Sequence, residues 1–101
     1  MKLVIVTAVE EFEKDVIKLF KNANIESFSS SDIDGHKNGS SLVMTSNWFS
    51  TGKSGSESNL FFSFTDDERI DRLFHLIKEY NENVETNNPL KAVVLPIEKF
   101  I

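Results

Sequence analysis

The chain contains no cysteine, only two prolines and four glycines, and no long apolar run. Without cysteine it can have no disulfide framework, no thiolate metal site and no cysteine nucleophile. No apolar stretch approaches the roughly 20 residues that a membrane-spanning helix needs, and no charged-then-apolar signal segment is visible. We therefore expect a cytoplasmic protein with no direct membrane insertion.

Basic residues are also scarce. The 101 residues carry 11 Lys and Arg against 16 Asp and Glu, for a formal net charge of −5. A nucleic-acid surface needs a basic stripe to neutralise phosphates, so we expect no nucleic-acid partner. The length and an apolar share of 40% fit one domain that spans residues 1–101.

The acidic charge is divided by a weakly basic middle segment. Residues 1–36 and residues 59–101 each carry a net charge of −3, whereas residues 37–58 carry +1. Serine and glycine make up 10 of those 22 middle residues, a composition that cannot bury enough surface to offset the entropy of ordering. The sequence predicts a long flexible loop at about 37–58, and loops of this length inside a domain are usually functional.

The first half predicts a strand, a helix and a second strand. Residues 2–6 are rich in β-branched side chains, as in a buried strand. Thr7 and Glu10 fit a capping box at the start of a helix. The apolar face of that helix recurs at steps of three and four residues, at Val9, Phe12, Val16, Leu19, Phe20 and Ala23. Residues 25–36 form a weaker, serine-rich extended run.

The second half repeats this order. Residues 59–64 predict a strand, Thr65 to Glu68 a second capping box, and residues 92–95 a last strand. The helix between them has an apolar stripe of Ile70, Leu73, Phe74, Ile77 and Tyr80. The βαβ, loop, βαβ order is typical of an α+β ferredoxin-like sandwich: a four-stranded antiparallel sheet with two helices on one face.

The other face of such a sheet has no helix to cover it. Leu60, Phe62 and Phe64 share one face of their strand, and we expect Phe61, with Val4 or Val6, on the uncovered face. An exposed apolar sheet face is a ready interface, so the pattern favours a homo-oligomer.

Four short segments, in this order and spacing, resemble the PII signal-transduction (nitrogen regulatory) family. Residues 22–25 lie where the family has its Ala-Gly-Ile/Val turn, and residues 31–35 are similar to its Ser-Glu-Val-Lys-Gly segment. Residues 65–71 look like the start of its second helix. Residues 93–98 are similar to its closing Phe-Val-Ile-Pro-Val-Glu strand.

The resemblance implies a non-enzymatic regulatory homotrimer in which residues 37–58 are the T-loop. Such proteins bind adenine nucleotides in clefts between subunits and dock their loops on membrane transporters or enzymes. Ligand binding is thereby implied for Gly35, His36, Lys37 and Lys91. Asn88-Pro89-Leu90 stands where the family has Gly-Asp-Gly.

The middle segment also contains candidate residues for a protein partner. Trp48 and Phe49 are adjacent aromatics, and buried aromatics dominate the energetics of many interfaces. We assign Trp48, Phe49 and Lys53 to a partner-binding loop; the alternative is that the two aromatics fold back onto the protein.

A second hypothesis is a divalent-metal-responsive trimer of the cation-tolerance type. Its weak candidate ligands are His36 and a helix face with Asp71, His75 and Glu79 at four-residue spacing. No metal is firmly predicted, because a metal site needs three or four converging ligands. No nucleophile motif is evident, so the sequence predicts no catalytic residues.

Overall fold

The computed structural model describes residues 1–36 and 56–101 of the chain. The predicted site residues Lys37, Trp48, Phe49 and Lys53 lie outside the described residues. The flexible loop at 37–58 therefore remains a prediction, except for its last three residues. In the described parts of the chain, no helix has both the length and the apolar composition to cross a membrane.

Four strands and two helices form an antiparallel α+β sandwich. In chain order they are β1 (Lys2–Val9), a short 3-10 turn (Glu10–Phe12), α1 (Glu13–Asn22), β2 (Ser29–Gly35), β3 (Ser56–Thr65), α2 (Asp67–Asn83) and β4 (Lys91–Pro96). The strand order across the sheet is β2-β3-β1-β4, and every neighbouring pair is antiparallel. This topology confirms the predicted ferredoxin-like fold class.

The first predicted capping box is wrong. Thr7 is a buried residue of β1, where it pairs with Leu60 on one side and Lys91 on the other. The strand continues to Val9, and α1 begins at Glu13 without a side-chain cap. Backbone pairing with two neighbouring strands outweighs the single cap that Thr7 could have made.

The second predicted capping box is displaced by one residue. Thr65 is the last residue of β3, where it pairs with Lys2. Asp66 is the N-cap of α2, and its carboxylate accepts a hydrogen bond from the Arg69 backbone N–H at 2.9 Å. The helix is where the apolar stripe predicts it, with Ile70, Leu73 and Ile77 buried.

The predicted loop ends three residues too late. β3 begins at Ser56, and its first three residues pair with the end of β2, from Gly35 back to Ile33. Serine and glutamate have little intrinsic strand preference, but β2 offers them a complete row of backbone partners.

The two faces of the sheet are the reverse of the sequence-based assignment. Val6 pairs with Phe61 and Val4 with Ser63, so all four share a face, and the three apolar side chains are completely buried beneath the helices. The buried residues that the helices contribute to this core include Val16, Phe20, Ile70, Leu73 and Ile77. The residues that alternate with these along β3 are Leu60, Phe62 and Phe64, and they lie on the open face. Because β3 has aromatic side chains on both faces, the sequence alone did not show which face is buried.

Candidate functional site

Three of the predicted ligand-binding residues lie at one end of the sheet, which we call the loop end. Here β2 ends at Gly35, β3 begins at Ser56 and β4 begins at Lys91. Gly35 is buried, the following His36 is exposed, and Lys91 is half-buried beside Thr7. The antiparallel topology places all three residues towards this end of the sheet.

Within one chain, however, Gly35 and Lys91 do not form a common site. β2 and β4 are the two edges of the sheet, three strand spacings or about 14 Å apart. Lys91 is level with Ser31 across the sheet, through Thr7 and Leu60. Gly35 lies four residues further along β2, or about 13 Å. Gly35 and Lys91 are therefore widely separated, both across the sheet and along it, in a single chain.

Side-chain hydrogen bonds hold the loop that precedes Lys91. The Asn81 side chain in α2 receives the Leu90 N–H on Oδ1 at 2.9 Å and donates from Nδ2 to the Leu90 carbonyl at 3.1 Å. The Asn88 N–H donates to Thr86 Oγ1 at 3.0 Å. The Leu90 side chain is buried, and its backbone is bound by Asn81. Both contacts hold the backbone that leads into Lys91 in place.

An acidic cluster that the sequence analysis missed also lies at the loop end. Glu10, Asp32, Asp34 and Glu57 line a cavity of about 220 Å³. A hydrogen bond with Glu57 and the charge of that carboxylate raise the pKa of Glu10 above its ordinary value, with a smaller contribution from burial. The sequence did not predict this cluster, because it assigned Glu57 to the loop. The pairing of Glu57 with Asp34 brings Glu57 next to the other acidic residues.

Asn59 lies at the boundary between this acidic cluster and the core. Its side-chain Nδ2 donates to Asp32 Oδ1 at 2.8 Å, and the residue is only 2% exposed. Its Oδ1 has no hydrogen-bond partner among the described residues.

A second polar cavity lies at the opposite end of the sheet. Its volume is about 410 Å³, and Asn24, Glu26, Thr65 and Arg69 are among its lining residues. Arg69 is already engaged, because its Nε donates to the Asn24 carbonyl at 3.0 Å and its guanidinium forms an ion pair with Asp66. This arrangement joins the end of α1 to the start of α2 and has the character of a structural contact.

The candidate metal ligands on α2 form an exposed helix surface. His75 Nε2 lies 3.0 Å from Glu79 Oε2, and both side chains are largely exposed. Residues 1–36 and 56–101 contain no group of three or more His, Asp or Glu side chains arranged to hold a metal ion. His36 follows β2 and does not lie on this helix, so the two sets of candidates are separate.

The open face of the sheet is apolar across three adjacent strands, β3, β1 and β4. Its side chains are Leu3, Ile5, Leu60, Phe62, Phe64, Val93 and Leu95, as the pairing register shows. Phe62 and Phe64 contact each other edge to face, with ring centroids 6.2 Å apart. Phe64 is 56% exposed and Leu95 43% exposed, and the other five side chains are half-buried, so in the described chain this face lacks the complete cover that the helices give the other face.

Comparison with solved structures relates this architecture to known proteins. No protein-family model and no curated protein sequence matches the chain. A PII-like signalling protein from Thermus thermophilus superposes with a TM-score of 0.58 and 19% identity, over 95% of this chain and 85% of that one. CPII, a nitrogen regulatory PII-like protein from Thiomonas intermedia bound to ADP, AMP and bicarbonate, gives a TM-score of 0.63 and 10% identity. That match covers 99% of this chain and 94% of CPII. The chain therefore has the fold of PII-like signalling proteins, which confirms at the level of the fold the resemblance that its sequence shows.

Proposed function

We propose that the chain is a divergent PII-like regulatory protein, cytoplasmic and without enzymatic activity. It acts as a homotrimer, and the segment at 37–58 docks on a membrane transporter or an enzyme. The observation that carries this proposal is the uncovered apolar face of the sheet, in a fold shared with PII-like signalling proteins.

Burial of that face would contribute favourable free energy to association. The exposed 56% of Phe64 corresponds to about 110 Å², if about 200 Å² is taken for a whole phenylalanine side chain. At about 25 cal/mol per Å², covering it contributes about 3 kcal/mol per subunit. Leu95 and the half-buried Phe62 add to this contribution, which offsets part of the entropy that association costs.

A cyclic trimer also explains why the predicted ligand residues are divided between two sheet edges. A ring in which each subunit uses two different surfaces is closed by heterologous contacts. Such contacts bring the β4 edge of one copy towards the β2 edge of the next, and with it Lys91 towards Gly35 and His36. The ligand then binds between subunits.

We propose a small ligand such as an adenine nucleotide for this cleft, and the adenine nucleotides bound to CPII support that choice. Lys91 supplies a cation at one edge, while Gly35, His36 and Lys37 lie at the base of the partner-binding segment. A ligand that binds two conformations of this base with different affinity shifts their populations. That shift changes how Trp48, Phe49 and Lys53 meet the partner. No cluster among the described residues favours the metal-responsive alternative.

Light scattering tests the trimer directly. The expected mass is three times the 11.5 kDa of one chain. Phe64→Glu places a charge on the open face and should dissociate the trimer, because the charge would have to be buried without a partner. Phe100→Glu is the matched control, since Phe100 is 77% exposed beyond β4. A wild-type chain that remains monomeric at every concentration would refute the proposal.

Calorimetric titration with AMP, ADP and ATP tests the ligand. At least one nucleotide should bind, and Lys91→Ala should weaken that binding about tenfold or more. Lys78→Ala, on the exposed surface of α2, removes the same charge and should have no effect. If none of the three nucleotides produces heat, the nucleotide part of the proposal is wrong while the trimer stands on its own test.

A further inference from the structure

The end of the loop between α2 and β4, directly before Lys91, has its backbone N–H groups already hydrogen-bonded. Asn81 binds both the N–H and the carbonyl of Leu90, at 2.9 and 3.1 Å. The Asn88 N–H is bound by Thr86 Oγ1 at 3.0 Å. Pro89, between them, has no N–H to offer. In the three residues before Lys91, therefore, no backbone N–H is free for a ligand.

Phosphate chains are held in proteins by such free donors. Successive backbone N–H groups that point outward form the usual cradle, and glycine lets the backbone come close to the phosphate oxygens. Here no glycine occurs anywhere after Gly55. The segment directly before Lys91 thus lacks both the glycine and the free N–H groups of such a cradle.

The net charge of the loop also disfavours binding of a phosphate chain. Residues 81–91 contain Glu82 and Glu85 against the single cation Lys91, a net charge of −1. Both glutamates are exposed, and neither forms an ion pair with a described residue. Each further phosphate on a ligand adds repulsion here without adding a contact.

We infer that this loop holds no phosphate chain, and that the ligand of the cleft is a nucleotide with a single phosphate, paired with Lys91, rather than a di- or triphosphate. The part on ligand choice rests on the proposed function, whereas the part on the loop does not. Asn81 is a positioning residue in this arrangement, because its contacts with Leu90 fix the backbone from which Lys91 extends.

Titration with AMP, ADP and ATP under identical conditions tests the ligand class. AMP should bind at least as tightly as the other two. An affinity for ADP or ATP ten times greater than that for AMP would overturn the inference. If no nucleotide binds, the nucleotide part of the proposed function fails, and the inference about the loop is decided by the next measurement.

Amide signals in ¹⁵N NMR spectra report on the loop itself, with inorganic tripolyphosphate as the probe. The Leu90 amide should exchange slowly with solvent, and neither it nor the Asn88 amide should shift as tripolyphosphate is added. Saturable shifts of both amides would show that the loop does bind a phosphate chain and would refute the inference.

Variants of Asn81 test its positioning role. Asn81→Leu has a similar size but no hydrogen-bonding atoms, so exchange of the Leu90 amide should accelerate at least tenfold and AMP affinity should fall severalfold. Asn81→Asp keeps an acceptor for the Leu90 N–H and should retain most of the protection. Asn83→Leu is the matched control, since among the described residues the Asn83 side chain bonds to the Glu79 carbonyl alone, on the exposed side of α2. Unchanged exchange in Asn81→Leu would contradict the assignment, and Asn81→Asp still tests it if the leucine variant does not fold.

Discussion

Removal of the Tyr80 hydroxyl should destabilise the contact between the two helices. The Tyr80 hydroxyl on α2 donates to Asp15 Oδ2 on α1 at 2.6 Å, in a half-buried position. The same ring meets Phe12 edge to face, with centroids 5.8 Å apart. Tyr80→Phe keeps the ring and its packing, so the substitution removes the hydrogen bond and little else.

The size of the effect follows from the charge of the acceptor and its access to water. A hydrogen bond to a charged group contributes about 1.5 to 3 kcal/mol. Asp15 is only partly buried and regains water when the hydroxyl is removed, so we expect a loss near the lower limit, about 1.5 kcal/mol. For a chain of this length that corresponds to a fall in Tm of about 6 °C or more.

Urea unfolding followed by circular dichroism measures this loss, at one fixed protein concentration because association also affects stability. A double-mutant cycle with Asp15→Ala isolates the pair, and the coupling energy should be about 1 kcal/mol or more. If Tyr80→Phe costs less than about 0.5 kcal/mol and the cycle shows no coupling, the hydrogen bond does not stabilise the helix pair.

The same contact predicts an alkaline limit to stability. Burial raises the pKa of Tyr80, and the hydrogen bond and charge of Asp15 raise it further. Below about pH 10, the ordinary tyrosine value, the group is neutral in both states and its contribution is complete. Above that pH the unfolded chain loses the proton first, so the free energy of unfolding falls as pH rises. Tyr80 is the single tyrosine of the chain, so absorbance at alkaline pH reports on it alone, and Tyr80→Phe should abolish this part of the decline.

Two further substitutions test the charged groups at the ends of the sheet by thermal unfolding. Asp66→Ala should lower the Tm by a few degrees, while Asp66→Asn keeps a cap and should lower it less. Hydrogen bonding to the Arg69 backbone lowers the pKa of Asp66, so its contribution is present above about pH 4 and is lost as pH falls through the depressed value. Glu10→Gln should raise the Tm at pH 7, because it relieves the repulsion with Glu57 that raises the pKa of Glu10. As pH falls through that raised value the wild type takes up a proton and regains the same stability, so the advantage of the variant should disappear at acidic pH. An equal gain from Glu11→Gln, which removes a neighbouring exposed charge, would show that only net charge matters.

Local patterns predicted the elements of this fold well. The stripe of Ile70, Leu73 and Ile77 predicted α2, and these are the residues that the helix buries. A helix with one apolar face is specified by side chains three and four residues apart, which lie close together in the sequence. Strand number and chain order were likewise predictable from short apolar runs and the breaks between them.

The start of α1 and the start of β3 were predicted less well, because both depend on distant backbone partners. Thr7 has the local features of a helix cap, but β3 and β4 hold it in the sheet. Glu57 has the local features of a loop residue, but Asp34 lies opposite it. The acidic cluster could not be foreseen for the same reason, since its members come from three separate elements.

The sequence by itself determined that this chain is an acidic α+β protein without cysteine, that its two halves each form strand, helix and strand, and that a serine- and glycine-rich segment separates them. These properties depend on composition and on neighbours within one helical turn or two strand positions. Only the tertiary structure decided which face of each strand is buried, that Gly35 and Lys91 belong to opposite edges of the sheet, and that Asn81 accepts a hydrogen bond from the Leu90 N–H next to Lys91. The first two depend on the pairing between segments far apart in the chain, and a shift of one residue in a strand moves every side chain to the other face. The third depends on how the loop folds back against α2, which no local pattern predicts.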